Sequence, residues 1–363
     1  MVLKLSQIGI VGVMPERTDW IDAAAEHLDN AVTRFLDAGG APGAVAVTGD
    51  AVETRSLARG VVAPGFAEVT PTADTRYDIA SLTKTMTWLL AGFSVADGDL
   101  ELDKPVSTYL GPSTHPASGL TVRQMLGHTT GLRSATRFDE YLASGVPLVE
   151  HILREELETQ PGQRMRYINR GFILLGLVLE RVTGQNLDVL AAERIWRPWQ
   201  MHSTSYGPLP ADEHVAPTER RLIGTRPTWG VVHDESAALM GGVAGHAGVF
   251  STAADMVRFA RGILGARQED SPLGRYVHDS FRVYASQDGT RRGLGWIVVP
   301  ESGTAYHHGF TGTSLYLSPD SDRFMVVLTN AVFVSRDRRR LKALRADALV
   351  AMSTVDQGVS GKG

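Results

Sequence analysis

The 363-residue sequence predicts an α+β fold: an antiparallel sheet flanked by helices, joined to a mainly helical lobe, with a cleft between them. Three observations carry this. The chain opens with a helical period followed by two short β-rich runs. A long stretch of helix and loop patterns fills 80–245. Three more β-rich runs and a last helix close the chain. Strands at both ends are expected to share one sheet, which makes 1–79 plus 246–363 one discontinuous domain and 80–245 an inserted one.

Each element has its own signal. Residues 19–38 place Trp20, Ala24, Leu28, Val32 and Phe35 close to a 3–4 spacing, and Gly39-Gly40 ends the helix. Runs 43–48 and 55–62 read as strands joined by a turn at Gly49-Asp50. From 82 to 93 the pattern is helical again, with Met86, Leu89, Leu90 and Phe93 on one face. The clearest helix of the middle is 171–183, stopped by Gly184. Runs 293–300, 305–318 and 323–330 read as strands, and 336–352 as a helix. Residues 8–14 (IGIVGVM) are too short, and too rich in glycine, for a secretory signal; a strand or an arm is expected there. The small, polar tail from 353 is expected to fray.

Composition narrows the function. Hydrophobic residues make up 43% and charged residues 21%, an ordinary globular balance. A net charge of −4, with no Lys/Arg run read as a local basic patch, argues against nucleic acid and anionic lipid as partners. No stretch reaches the ~20 apolar residues of a membrane span. There is no cysteine, which excludes disulfides, thiol nucleophiles and thiolate metal sites. The expected location is cytoplasmic.

Three short motifs carry chemistry. In Ser81-Leu82-Thr83-Lys84 at a helix start, the ammonium falls beside the hydroxyl, because residues three apart share a helix face. The positive end of the helix favours an alkoxide there. The same residues also suit an N-cap followed by a solvated lysine. Tyr167-Ile168-Asn169 can point a phenol and an amide into one cleft from the loop entering 171–183, the phenol as a proton relay; a surface tyrosine and a capping asparagine would look the same. His307-His308-Gly309, followed by Phe310, reads as a strand able to approach a substrate closely. Its backbone N–H, with that of Ser81, would make a two-donor oxyanion hole. A second His-x-Gly stands at His246-Ala247-Gly248, inside a Gly/Ala-rich loop pattern.

In this order and spacing the three motifs resemble those of the penicillin-recognising serine enzymes. Asp78-Ile79-Ala80, the 125–132 segment MLGHTTGL, Pro161-Gly162, Leu174-Leu175-Gly176, the 180–184 segment ERVTG and the 251–256 segment STAADM are similar too, so the resemblance covers roughly residues 20 to 350. It points to the class C β-lactamase branch, which also holds family VIII esterases, D-amino-acid peptidases and biosynthetic transesterases. It implies that fold, with Ser81 as nucleophile, Lys84 as its base and Tyr167 as proton relay. It further implies Asn169 orienting substrate and lysine, His307 and Gly309 lining the substrate strand, and the N–H groups of Ser81 and Phe310 as the oxyanion hole. No cofactor or metal is implied. The substrates would be a small-molecule acyl donor, ester or amide, and water or an amine or alcohol acceptor.

One departure bears on the substrate. His307 stands where β-lactamases carry a lysine that helps hold the substrate carboxylate, and an ordinary histidine is mostly neutral at pH 7. The anchor must then come from another cation among the 31 arginines, or be absent. This favours esterase-like hydrolysis or transacylation over a β-lactamase or D-amino-acid peptidase. A non-catalytic, penicillin-binding-like ligand module is the reading from another class, and retention of Ser81, Lys84, Tyr167 and Asn169 together weighs against it. His233, Asp234 and His246 have side chains suited to zinc but not the spacing of a helical metal motif, so a hydrogen-bonded loop beside the cleft is expected.

Overall fold

The computed structural model describes residues 17–134, 141–143, 145–223 and 226–353. The expectations for 8–14 and for the tail beyond 353 lie outside them.

Among the described residues, eight strands form one antiparallel sheet: β1 (Gly43–Asp50), β2 (Thr54–Gly60), β3 (Ala285–Gln287), β4 (Thr290–Arg292), β5 (Ile297–Val299), β6 (Thr304–His308), β7 (Ser314–Ser318) and β8 (Arg323–Thr329). Their spatial order is β2-β1-β8-β7-β6-β5-β4-β3, so the two chain ends meet where β1 pairs with β8, Val45 opposite Leu328. Side chains alternate across a strand. Ala44, Ala46, Met325 and Val327 face one layer, formed by helices α1 (Arg17–Asp37) and α6 (Arg339–Ser353). Val45, Val47, Val326 and Leu328 face the main core. That core also takes in α2 (Thr83–Asp97), α3 (Arg170–Thr183), α4 (Ala253–Gln268) and α5 (Pro272–Ser280). Helix α2 is buried almost all round, from Thr83 to Gly92, as a central helix must be.

The predicted strand 305–318 is two strands, broken at 309–313 by the glycine-containing turn that borders the site. Strand β1 continues through Asp50, so the first hairpin turns later than expected. The β3–β4 hairpin was not anticipated. Its sequence lacks an apolar alternation, but Asp288-Gly289 at the tip both have positive φ (+50° and +77°), the turn that this dipeptide favours in two-residue hairpins. Helix α3 stops at Gly184 as expected, in a left-handed conformation.

Candidate active site

The turn that presents Ser81 is built by strain and by tethers. Tyr77–Asp78 pairs with Val249–Ser251, after which the chain turns through Ala80 into a short 3-10 segment, Ala80–Leu82, that runs into α2. Ala80 has φ +48°, a left-handed conformation that costs a non-glycine residue about 1 kcal/mol. The Asp78 carboxylate holds it there, accepting the Ala80 N–H at 2.8 Å and the His233 N–H at 2.9 Å. Burial pushes the Asp78 pKa up to about 6, although those two hydrogen bonds pull the other way.

Lys84 is completely buried, with Nζ 3.0 Å from Ser81 Oγ, 2.9 Å from Asn169 Oδ1 and 3.1 Å from the His246 carbonyl. The structure thus brings together the serine, the lysine and the asparagine that the sequence singled out. The three contacts come from three parts of the chain: the start of α2, the residue before α3, and the loop ahead of Val249–Ser251. Thr87, one turn further along α2, donates to the Gly245 carbonyl at 2.8 Å and so fixes that loop. A neutral amine has two N–H donors for the two carbonyl-type oxygens and one lone pair for the serine proton.

The backbone N–H groups of Ser81 and Phe310 donate to no group among the described residues. Their segments are lashed together: Thr311 Oγ1 donates to the Asp78 carbonyl (2.8 Å) and Thr313 Oγ1 to the Ile79 carbonyl (3.0 Å). Gly309 is required by this approach, because a Cβ there would lie 2.0 Å from Thr313 Oγ1 and 2.5 Å from the Ile79 oxygen. Two free donors on adjoining, cross-tied segments have the arrangement an oxyanion hole needs.

Asn169 is held from its other side by Asp234, whose Oδ2 lies 3.3 Å from Asn169 Nδ2. An N–H donor from Lys84 on one side and a carboxylate on the other leave only one amide orientation that satisfies both. Asp234 Oδ1 accepts from His246 Nε2 (2.7 Å) and from the Ala237 N–H (2.9 Å), capping the short helix Glu235–Leu239. Burial works against the charged carboxylate, but His246, the Ala237 N–H and Lys84 hold it well below the usual range. His233 is paired elsewhere, 3.2 Å from Glu219 and stacked on the Phe310 ring. The expected hydrogen-bonded loop is therefore two separate pairs, of which His246–Asp234 reaches Lys84 and Asn169.

Tyr167 is 41% exposed at the cleft, with its ring 4.7 Å from that of His128, 5.9 Å from His307 and 5.1 Å from Lys84 Nζ. His307 is 2% exposed with both ring nitrogens unpartnered. Burial, then the charges of Lys84 and Arg292, hold its pKa well below the ordinary imidazole value, so it is neutral at pH 7. His308 also borders the cleft, its Nε2 3.1 Å from the Tyr316 hydroxyl. Ser81, Tyr167, Asn169, His307, Gly309 and Phe310 all line one cavity of about 510 Å³.

Two contributors were missed. Asp234 was singled out only as part of a loop. Arg292, from β4, lines the cavity beside Tyr167, its guanidinium carbon 4.9 Å from the ring centroid. The Asp288-Gly289 turn was the available signal for it.

The "Putative D-alanyl-D-alanine carboxypeptidase" of Escherichia coli (strain K12) is 30% identical over 305 residues, 72% of this chain and 70% of that protein. The class C beta lactamase from Rhodobacter sphaeroides superposes with a TM-score of 0.72 at 19% identity, over 92% of this chain and all of the other. "EstCE1, a hydrolase with promiscuous acyltransferase activity" also superposes with a TM-score of 0.72, at 21% identity, over 90% of this chain and 98% of the other. These likenesses give a class C β-lactamase-like fold. The β-lactamase family model matches residues 28–350, and the chain belongs to that family.

Proposed function

We propose that the protein is a serine hydrolase or acyltransferase that forms a covalent acyl-enzyme at Ser81 from an ester or amide. The observation that carries this is Lys84 Nζ at 3.0 Å from Ser81 Oγ, with its two other neighbours both hydrogen-bond acceptors. In the reaction Lys84 takes the Ser81 proton as Oγ attacks the carbonyl carbon. The developing oxyanion accepts from the N–H groups of Ser81 and Phe310. The tetrahedral adduct then collapses, the C–O or C–N bond breaks, and Tyr167 passes a proton to the departing alcohol or amine. In the second half water, or an amine or alcohol, attacks the acyl carbon, gives up its proton to Lys84, and the acyl–Oγ bond breaks as Ser81 takes that proton back.

The neutral His307 favours esterase-like hydrolysis or transacylation over β-lactam opening, since no cation stands on β6. The hydrolase and acyltransferase activities in the name of EstCE1 are in keeping with either outcome. The amide-directed name of the Escherichia coli relative supports a peptidase as the second reading. Among the described residues no helix is long and apolar enough to cross a membrane; a cytoplasmic reaction on small molecules is part of the proposal.

The test is a burst assay with p-nitrophenyl acetate, followed by mass spectrometry of the protein with and without added amines. An acetyl adduct on Ser81, lost in Ser81→Ala, supports the acyl-enzyme. An acetylated amine formed only by the wild type identifies transfer. No burst, no turnover and no labelling by a phosphonate ester would refute the proposal and leave a binding module.

A further inference from the structure

Tyr167 is partly exposed, and its hydroxyl makes no hydrogen bond among the described residues. A group that hands a proton to a departing atom must be held closely, since a misplacement of about 1 Å costs on the order of 100-fold in rate. The aim of Tyr167 therefore depends on its main chain and on the rings packed against it. His128 supplies both.

His128 follows the short helix Val122–Leu126, its own N–H donating to the Met125 carbonyl at 3.2 Å. From this turn a row of carbonyls grips the segment that leads to Tyr167. Gly131 accepts the Glu158 N–H at 2.8 Å, Thr129 the Gly162 N–H at 2.7 Å and His128 the Arg166 N–H at 2.8 Å. The His128 side chain adds the last hold, Nδ1 accepting the Ile168 N–H at 3.4 Å. One residue thus grips the chain immediately before and immediately after Tyr167. Its imidazole also lies 4.7 Å from the Tyr167 ring and 5.3 Å from that of Phe172 on α3. His128 is buried, and burial, then the charges of Arg292 and Lys84, keep it neutral at pH 7. With Nδ1 accepting, the proton is on Nε2, which is enclosed and has no partner among the described residues.

The turn alone does not call for this side chain. Its φ of +57° is left-handed, a conformation that asparagine or glycine adopts without an imidazole to bury. An enclosed, unpaired N–H is a cost to the fold, and the ring's work at Tyr167 accounts for it.

We propose that His128 is the positioning residue of the proton relay, fixing the aim of the Tyr167 hydroxyl by gripping the main chain on both sides and packing its ring on the phenol. This rests on the acyl-enzyme reading and on the relay role of Tyr167 within it. The consequence is selective. His128 matters most for alkyl esters and amides, whose leaving groups need a proton as they depart, and least for esters whose leaving group departs as a stable anion.

The experiment measures kcat/KM for p-nitrophenyl, phenyl and trifluoroethyl acetate, whose leaving groups, with pKa values of about 7, 10 and 12, need that proton increasingly. All three form the same acetyl-enzyme, so the differences between them belong to acylation. His128→Leu is expected to slow them by roughly twofold, eightfold and 30-fold in that order. His128→Asn tolerates the positive φ and offers an oxygen to the Ile168 N–H, so the loss at the trifluoroethyl ester should shrink to about fivefold. Adding His128→Leu to Tyr167→Phe should slow all three esters by one common factor, because the group it aims is gone. A purely structural role gives a common factor in the single variant too. A common factor in His128→Leu, or a leaving-group dependence that persists in the Tyr167→Phe background, overturns the role of His128. Labelling of Ser81 by a p-nitrophenyl phosphonate, read by mass, reports on an intact site, and if His128→Leu does not fold, His128→Asn decides by the same criterion. Equal slowing of the three esters in Tyr167→Phe refutes the relay and this proposal with it, whereas an unlabelled wild type refutes the acyl-enzyme itself.

Discussion

Replacing Asp234 with asparagine, the smallest available change, is expected to harm the site more than replacing it with alanine. Asp234 Oδ1 accepts from His246 Nε2 at 2.7 Å and from the Ala237 N–H at 2.9 Å. In Asp234→Asn the one remaining oxygen stays on those two donors. The new NH2 then faces Asn169 Nδ2, which now sits 3.3 Å from Oδ2. Two donors in opposition drive the Asn169 amide over, and its NH2 replaces Oδ1 at Lys84. A hydrogen bond between a charged group and a neutral one contributes about 1.5–3 kcal/mol. At 1.36 kcal/mol per factor of ten, acylation should slow by roughly 10- to 150-fold. Asp234→Ala leaves space for water, so Asn169 keeps its orientation and acylation falls by only about threefold. The alanine variant should instead lose stability, about 1 kcal/mol from the helix cap alone. Stopped-flow burst rates with p-nitrophenyl acetate and urea midpoints measure the two effects. Acylation in Asp234→Asn within about twofold of wild type, or acylation slower in Asp234→Ala than in Asp234→Asn, would refute the reasoning.

Gly309→Ala should cost several kcal/mol in a urea titration and abolish the burst, because its Cβ would displace Thr313 and the Ile79 carbonyl together. Asp78 predicts a pH dependence of stability. Its folded pKa of about 6 lies above the unfolded carboxyl value near 3.8, so the native state holds the proton more tightly. The contribution is fully present below pH 4 and falls away as pH rises to 6, by about 3 kcal/mol in all at 1.36 kcal/mol per pKa unit. The stability difference, wild type minus Asp78→Asn, should therefore shrink from pH 4 to pH 6 in urea titrations. A flat or rising difference would show that Asp78 is not the group responsible.

Much of the candidate site was legible because its members fall in short, local patterns. Ser81 and Lys84 sit one helical turn apart, Tyr167 and Asn169 flank one helix entry, and His307 to Phe310 form one strand end and turn. What stayed hidden depends on contacts across the chain. The partnership of Asp234 with Asn169 spans 65 residues, and the same carboxylate also caps the Glu235–Leu239 helix. Nothing in the local sequence separates the surroundings of His233 from those of His246, although one ring meets Glu219 and the other Asp234. Arg292 was one arginine among 31, on a hairpin whose strands carry too little apolar alternation to be read. The fold was clearer, since glycine-terminated helices and paired apolar strands announce themselves. The break between β6 and β7 did not, because its cause, close passage over Ile79, is tertiary.

The junction at Lys84 also has a temporal meaning. Its partners lie 3, 85 and 162 residues along the chain, and the second unpaired N–H, at Phe310, lies later still. During synthesis Ser81 and Lys84 emerge together, but Asn169, the His246 carbonyl and the Phe310 N–H that complete the site follow 85, 162 and more residues later. A nascent or truncated chain that ends short of β6 and β7 lacks the Phe310 N–H and the Thr311 and Thr313 tethers to the turn that presents Ser81. The oxyanion hole is therefore completed only when the last strands join the sheet, and the closing of the sheet doubles as a safety catch on the nucleophile.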